Sequence, residues 1–256
     1  MVEPLFRTTF ATPPAVGLAV TLGGSEGKHA VNVRRMRVGE GIQLSDGKGL
    51  RVRGEVSALG TSSLTVQVSE VSQEAAPAVG LTIIQALAKG DRDELAIQAA
   101  TELGCWGVVP WQAERSISKW EGAKVAKSVD RWQTIVSEAA KQSLRVFEPV
   151  VAQPLGSKQL VAAVKTFDLV LVLDPTAASG LVSLDFTPTQ KSIAIVVGPE
   201  GGISDHELEA LEDAGAVRVH LGEPILRTST AGVAAISVIQ SKLGLWGLPE
   251  NGGTNG

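Results

Sequence analysis

Three observations on this 256-residue chain predict an α/β fold with a mostly parallel sheet, preceded by a smaller β-rich module. Beyond residue 81, near-continuous apolar runs such as "LVLVL" and "SIAIVV" alternate with amphipathic stretches, the pattern of strands covered by helices on both faces. Before residue 72 the runs alternate with period two, as half-buried strands require. Between them "SQEAAPAVG" has the Pro, Gly and Ala content of a linker. The expected division is 1–72 for the β-rich module, 73–80 for the linker, 81–248 for the α/β part and 249–256 for a disordered tail.

In chain order, "SEGKHAVNVRRMRV" predicts a short helix capped by Ser25, with Ala30, Val33 and Met36 inward and Arg34, Arg35 and Arg37 outward. "GIQLSDGKGLRVRGEVSAL" holds two strands joined at the hairpin signal "DGKG", and "SSLTVQVSEV" adds a third. In the second part "LTIIQAL" is a strand and "DRDELAIQAATELG" a helix, with Asp91 as its cap, Glu94 three residues on and Gly104 as its stop. The strand "WGVVPW", a long amphipathic helix through "KVAKSVDRWQTIVSEAAKQS" and a short helix near "SKQLVAAV" follow. Then come the strands "FDLVLVLD" and "SIAIVVG", and the helix "SDHELEALEDAG", where Ser204 and Glu207 form a capping box. The strand "VRVHL", the loop "GEPILR" and the helix "TSTAGVAAISVIQSKLGLW" close the chain.

Composition narrows the function. No apolar run approaches the about 20 residues of a membrane span, and "MVEPLFRTTF" lacks the order of a signal peptide, so a cytoplasmic protein is expected. The lone Cys105 offers neither an internal disulfide nor a cysteine metal cluster. His29, His206 and His220 have no ligand spacing, so no metal is expected and the three read as solvated or core side chains. Trp106, Trp111, Trp120, Trp132 and Trp246 lie on or beside apolar runs, which favours packing over base stacking. The net charge is −4, yet Lys28 to Arg53 carries seven bases against two acids. That block is either an ordinary solvated face or the footprint of a phosphate backbone.

"IVVGPEGGISDHEL" runs from a buried strand through a glycine corner into a helix. Such a corner brings main-chain N–H groups close to a ligand. It lacks the spacing of a dinucleotide fingerprint and the lysine of a phosphate loop, and it contains Glu200. A ligand with a positive centre suits it better than a polyphosphate, and S-adenosylmethionine, with a sulfonium and an ammonium against one carboxylate, is such a ligand.

"VVGPEGGISDHEL" with "LGEPILRTSTAG" resembles the paired C-terminal signatures of the RsmE family, the 16S ribosomal RNA uracil-N3 methyltransferases of the SPOUT superfamily. "ALAKGDRDELAIQAATELG", the proline before "ERS" and "EAAKQSLR" resemble its central blocks, and "GKHAVNVRRMRVGEGIQLSDGKG" its PUA-like RNA-binding module. The resemblance spans almost the whole chain in order. It implies a SPOUT-type α/β domain whose last helix threads a deep trefoil knot, preceded by a small PUA-like β-barrel. It also implies a homodimer acting on 16S rRNA or the small ribosomal subunit, with S-adenosyl-L-methionine as cofactor.

Carried over, the donor loops are Val172, Leu173, Asp174 and Pro175; Gly198, Pro199, Glu200, Gly201 and Gly202; and Leu221, Gly222, Ile225, Leu226, Arg227, Thr228, Thr230 and Ala231. Arg227 is expected to hydrogen-bond a uracil oxygen and stabilise developing negative charge. Glu200 is expected to orient the donor, to accept the N3 proton, or only to cap the following helix. Arg7, Lys28, Arg34, Arg35, Arg37, Arg51, Arg53, Lys89, Arg92, Arg115 and Arg145 form the expected RNA-contacting set. Four residues depart from the family pattern: Ala99 replaces a frequent lysine, Lys141 a glutamate, Pro224 an arginine and Ser229 a glutamate. Two rivals stay open: a knotted methyltransferase acting on another RNA position, such as a ribose oxygen, and a non-enzymatic RNA-binding or assembly protein.

Overall fold

The computed structural model describes residues 2–187 and 189–246, so the expected tail at 249–256 lies outside the described residues. The chain divides into two compact units. One takes the residues up to Pro77 together with Ser137–Glu148; the other takes Ala78–Val136 and the residues from Pro149 onward. The strand and helix pattern predicts a second part unbroken from residue 81. Segment 137–148 breaks it because the side chains that hold this segment are far away in sequence.

The first unit is built on a five-stranded sheet: β1 (Leu5–Arg7), β2 (Ala19–Leu22), β3 (Gly41–Ser45), β4 (Leu50–Leu59) and β5 (Leu64–Gln73), in the order β1-β3-β4-β5-β2. Among the described residues no ladder joins the end strands β1 and β2. The β3–β4 connection forms as "DGKG" predicts: Asp46 Oδ1 accepts the N–H groups of Lys48 (2.7 Å) and Leu50 (3.2 Å), and Gly47 and Gly49 take the positive φ the turn needs. Phe6, Leu22, Ile42, Leu44, Val52, Val56 and Leu64 fill the core.

The helix of this unit differs from expectation. α1 (Gly24–Lys28) is capped by Gly23 rather than Ser25, and it continues as a π-helical turn over His29–Val33. The Arg34 N–H donates to His29 O at 2.9 Å, and Arg35 has φ 55°. The extra residue in a π turn rotates the register, which keeps Ala30 and Met36 buried and sends Val33 into solvent. Segment 137–148 is fastened to the unit by buried charges. Lys141, almost fully buried, donates to Glu26 Oε1 (2.6 Å) and Glu138 Oε1 (2.8 Å). Burial works against its charge, but the hydrogen bonds to those two carboxylates outweigh it and raise the ammonium's pKa. The departure from glutamate at this position is thus a structural cation with its own partners.

The second unit is a seven-stranded sheet: β6 (Gly80–Ala86), β7 (Gly107–Gln112), β8 (Val150–Val151), β9 (Leu155–Gly156), β10 (Leu169–Leu173), β11 (Ser192–Val197) and β12 (Val217–Val219). The order is β12-β10-β11-β6-β7-β8, with β9 also on β7, and every pairing is parallel. Side chains alternate along each strand between two cores. Ile83, Leu171, Ile193, Ile195 and Val197 face α2 (Arg92–Glu102) and α6 (Thr228–Lys242); Ile84, Val170, Val172, Ala194 and Val196 face α4 (Ser157–Ala163) and α5 (Asp205–Asp213). α3 (Lys124–Gln142) contributes Trp132 and Val136 to the first of these. Each fully buried Ile or Leu contributes about 1.5–3 kcal/mol of transfer free energy, so the sheet interior is the main source of cohesion.

Gly232 lets α6 lie close against the sheet, since a Cβ there would sit 2.6 Å from Ile83 Cδ1 and 3.0 Å from Val197 Cγ2. The Ser204–Glu207 capping box forms as predicted. The Asp91 cap does not: its side chain makes no capping bond, and Asp93 instead turns back to accept the Ala88 N–H at 3.0 Å and the Glu94 N–H at 2.8 Å. Glu94 pairs with Arg131. Local spacing could not tell which of two nearby acids would be buried. Trp111 and Trp132 are fully buried, with Trp120 edge-on to Trp132, while Trp106 and Trp246 reach solvent. Among the described residues no helix is long and apolar enough to cross a membrane.

Candidate functional site

β12, β10 and β11 are parallel neighbours, so their carboxyl ends emerge side by side and the three loops that follow must meet there. They enclose a cavity of about 590 Å³, within the range of small-molecule sites. Leu173, Asp174 and Pro175 line it from the first loop; Gly198, Pro199, Glu200 and Gly202 from the second; Leu221, Gly222, Ile225, Leu226, Arg227, Thr228 and Ala231 from the third. Three expected members stand apart. Val172 is turned into the α4–α5 core, Gly201 packs beneath the Arg115 side chain, and the Thr230 hydroxyl donates to Arg227 O at 3.1 Å.

Backbone geometry explains the glycines. Gly202 and Gly222 have φ of 75° and 112°, which favours glycine, and a Cβ on Gly198 would come within 2.7 Å of Ile203 Cγ1. The Thr228 hydroxyl donates to Gly198 O and accepts from the buried Gln85 Nε2, both at 2.8 Å, so the start of α6 is tied to the glycine corner.

Of the three carboxylates lining the cavity, Asp174, Glu200 and Asp205, the first two are engaged by donors. Glu200 Oε1 accepts the Lys89 N–H at 3.1 Å and Arg92 NH1 at 3.0 Å. Partial burial raises its pKa, but these bonds and its own N–H outweigh that and leave it lowered. A carboxylate so held is a weak proton acceptor near neutrality. Asp174, nearly buried, is held by Thr176 and Arg218; again burial raises its pKa and the hydrogen bonds prevail, leaving it lowered. Arg227, the N-cap of α6, is exposed, and among the described residues its guanidinium has no hydrogen-bond or ion-pair partner.

The expected RNA-contacting set separates. Arg92 and Arg115 line this cavity, and Arg115 NH1 donates to Gly201 O (3.3 Å) and Ile203 O (3.4 Å). In the first unit Arg7 is spent on Glu148 (3.2 Å) and Arg145 O (2.7 Å), and Arg51 on Glu74 (2.7 Å), Gln43 and Leu144 O (3.0 Å). Both are mostly buried, so they are corrected to structural residues. Arg53 is exposed beside Glu70, and Arg145 is half-buried. Lys28, Arg34, Arg35, Arg37 and Lys89 project into solvent.

Sequence reasoning missed His220, Thr176 and Asp205 on the cavity wall. His220 Nδ1 accepts the Gly222 N–H at 3.0 Å and so shapes the third loop. Its position at a strand end, directly before "LGEPILR", was the available signal. Of the other departures, Ala99 lies on α2 and Ser229 on the first turn of α6.

Comparison with known proteins places this geometry. A family model described as the RNA methyltransferase domain matches residues 75–240, and one described as the RNA methyltransferase PUA domain matches residues 22–69. Ribosomal RNA small subunit methyltransferase E of Mycobacterium bovis is 41% identical over 253 residues, 96% of this chain and 94% of that protein. The protein of the same name from Bacillus subtilis is 34% identical over 226 residues, 86% and 88% of the two chains. The crystal structure of a ribosomal RNA small subunit methyltransferase E from Neisseria gonorrhoeae bound to S-adenosyl methionine superposes with a TM-score of 0.83 at 30% identity, covering 94% of this chain and 98% of that one. The chain therefore belongs to the RNA methyltransferase family, among the ribosomal RNA small subunit methyltransferases E.

Proposed function

We propose that this protein transfers a methyl group from S-adenosyl-L-methionine to N3 of one uridine in 16S ribosomal RNA of the small subunit. The observation that carries the reading is the three-loop cavity at the ends of β12, β10 and β11, in a chain so similar to a relative crystallised with that donor. The residues present fit the donor. Main-chain groups and apolar side chains such as Leu173, Leu221 and Leu226 suit an adenosine, and the lining carboxylates Asp174, Glu200 and Asp205 balance the lining guanidiniums Arg92, Arg115 and Arg227, so the wall has no net positive charge against a ligand of net charge about +1.

Bound there, the donor supplies an electrophilic methyl group on its sulfonium. Uracil N3 holds its proton at neutral pH, so the protein must lower the cost of the anion that forms as that proton passes to solvent water. Arg227 does this: its free guanidinium stands at the start of α6, where the helix dipole adds positive potential, and it donates to a uracil oxygen. Glu200 fixes the glycine corner through Lys89 and Arg92. Glu200→Gln is expected to weaken donor binding several-fold while leaving the pH dependence of methylation between about pH 6 and 9 in place, because the carboxylate titrates below that window. Unaltered donor binding would remove Glu200 from this role.

The finer architecture follows the same reading. The trefoil knot is supported by the path after β12. His220 exchanges backbone hydrogen bonds with Ser179 and Leu181 in the connection that follows β10, and α6 then returns to pack on β11 and β6, deeper in the sheet. A homodimer is supported by exposed Leu95, Trp106 and Trp246 on and beyond the adjoining α2 and α6. The β-rich unit is read as a PUA-like RNA-binding module, and the site of action as the cytoplasm, where small subunits are made.

Calorimetry with S-adenosyl-L-methionine, followed by mapping of methyl groups on small-subunit RNA from a strain lacking the enzyme, tests the reading. One new N3-methyluridine is the expected result. A methyl group on a ribose oxygen would overturn the position, and absence of binding at millimolar donor would overturn the enzyme.

A further inference from the structure

We propose that Arg218 is a positioning residue for the methyl donor, bracing the first pocket loop, Asp174 to Thr176, from outside the cavity. The proposal rests on the donor-binding reading above and goes beyond it. Arg218 lies on β12 directly across from Val172 on β10, so its side chain starts beside the strand end from which the loop departs. Its Nε donates to Asp174 Oδ2 at 2.8 Å, NH2 bonds the same oxygen and also reaches the Thr176 hydroxyl at 3.0 Å, and NH1 pairs with Glu212 Oε2 at 3.0 Å, at the end of α5. One planar group thus ties a strand, a helix end and a pocket loop together, using donors in a fixed fork.

The consequence lies in what Asp174 has left to offer. Its Oδ1 accepts the Thr176 N–H at 3.0 Å, its Oδ2 accepts both Arg218 Nε and NH2, and the single Thr176 hydroxyl proton lies within reach of both oxygens, at 3.0 and 2.9 Å. Only 7% of the residue is exposed. A carboxylate with its acceptor positions filled does not recognise a ligand through its side chain. It fixes the loop backbone, whose N–H and C=O groups do the recognising. Arg218 and Asp174 are then one device: removing Arg218 leaves the Asp174 carboxylate without an ionic partner, and removing Asp174 leaves Arg218 held by Glu212 at the end of α5 and by the Thr176 hydroxyl alone on the loop.

The test is titration calorimetry with S-adenosyl-L-methionine together with steady-state methylation of small ribosomal subunits, on the full chain. Arg218→Gln and Asp174→Asn are each expected to raise the donor dissociation constant by about 10-fold or more, as displacement of pocket atoms by a fraction of an ångström does. In Arg218→Gln, whose side chain lies outside the cavity, turnover at saturating donor and the KM for RNA should stay within about two-fold of wild type, a split that general loss of folding does not produce. The double variant should bind no worse than either single one, since the pair acts as a unit. Arg218→Lys should recover part of the loss, restoring charge without the fork. Donor binding unchanged in Arg218→Gln, or losses that multiply in the double variant, would overturn the proposal and leave the methyltransferase reading standing. A wild-type protein that fails to bind the donor would overturn that reading first.

Discussion

Arg227→Ala is expected to lower methyl-transfer turnover by about 10²–10³-fold while donor affinity stays near that of wild type. The size follows from the work assigned to the guanidinium. It meets negative charge that develops on the uracil only as the N3 proton leaves, so its loss falls on the transition state rather than on the bound donor. Its surroundings favour this role, since among the described residues no carboxylate neutralises it, whereas Arg92, Arg115 and Arg218 around the same cavity are engaged with Glu200, with backbone carbonyls and with Asp174. Single-turnover methylation with saturating donor, alongside calorimetry, separates the two quantities. Undiminished turnover would remove Arg227 from the mechanism, and equal losses in donor affinity would make it a wall of the pocket instead.

Reversal of Arg34 and Arg35 to glutamate together is expected to abolish methylation of ribosomal substrate at physiological salt while donor binding is kept. Both side chains are exposed directly after the π-helical turn of the first unit, near exposed Arg37 and Lys28 in the chain. Each cation that neutralises a phosphate adds about 0.7–0.9 to the slope of log affinity against log salt, so the variant's remaining RNA binding should show a slope shallower by roughly two contacts. Methylation at the wild-type rate would make the block an ordinary soluble surface. The prediction is confined to these arginines because Arg7 and Arg51, equally basic in sequence, are buried in internal bonds.

Regular elements were legible wherever the signal is carried by neighbours in sequence. The strands at Leu169–Leu173 and Ser192–Val197, the box at Ser204 and Glu207 and the turn at Asp46 stand where the pattern placed them. Failures came where two local choices had similar energy. Asp91 holds the N-cap position of α2 as its spacing predicts, yet the buried Asp93, not Asp91, takes up neighbouring N–H groups; Ser25 and Gly23 both suit a cap, and the π turn that follows moved Val33 outward.

The site divides along the same line. Sequence alone determined the glycine corner, the "LGEPILR" loop and the lack of a phosphate-loop lysine, because these are properties of short contiguous stretches. Only the tertiary structure decided that β12 lies beside β10, and with it that His220 joins the cavity wall and that Arg218 reaches Asp174. It also assigned Lys141 to Glu26, 115 residues away, and drew Arg92 and Arg115 onto the cavity wall. Strand order and the pairing of remote charges depend on which distant surfaces pack together, and that free energy belongs to no local segment.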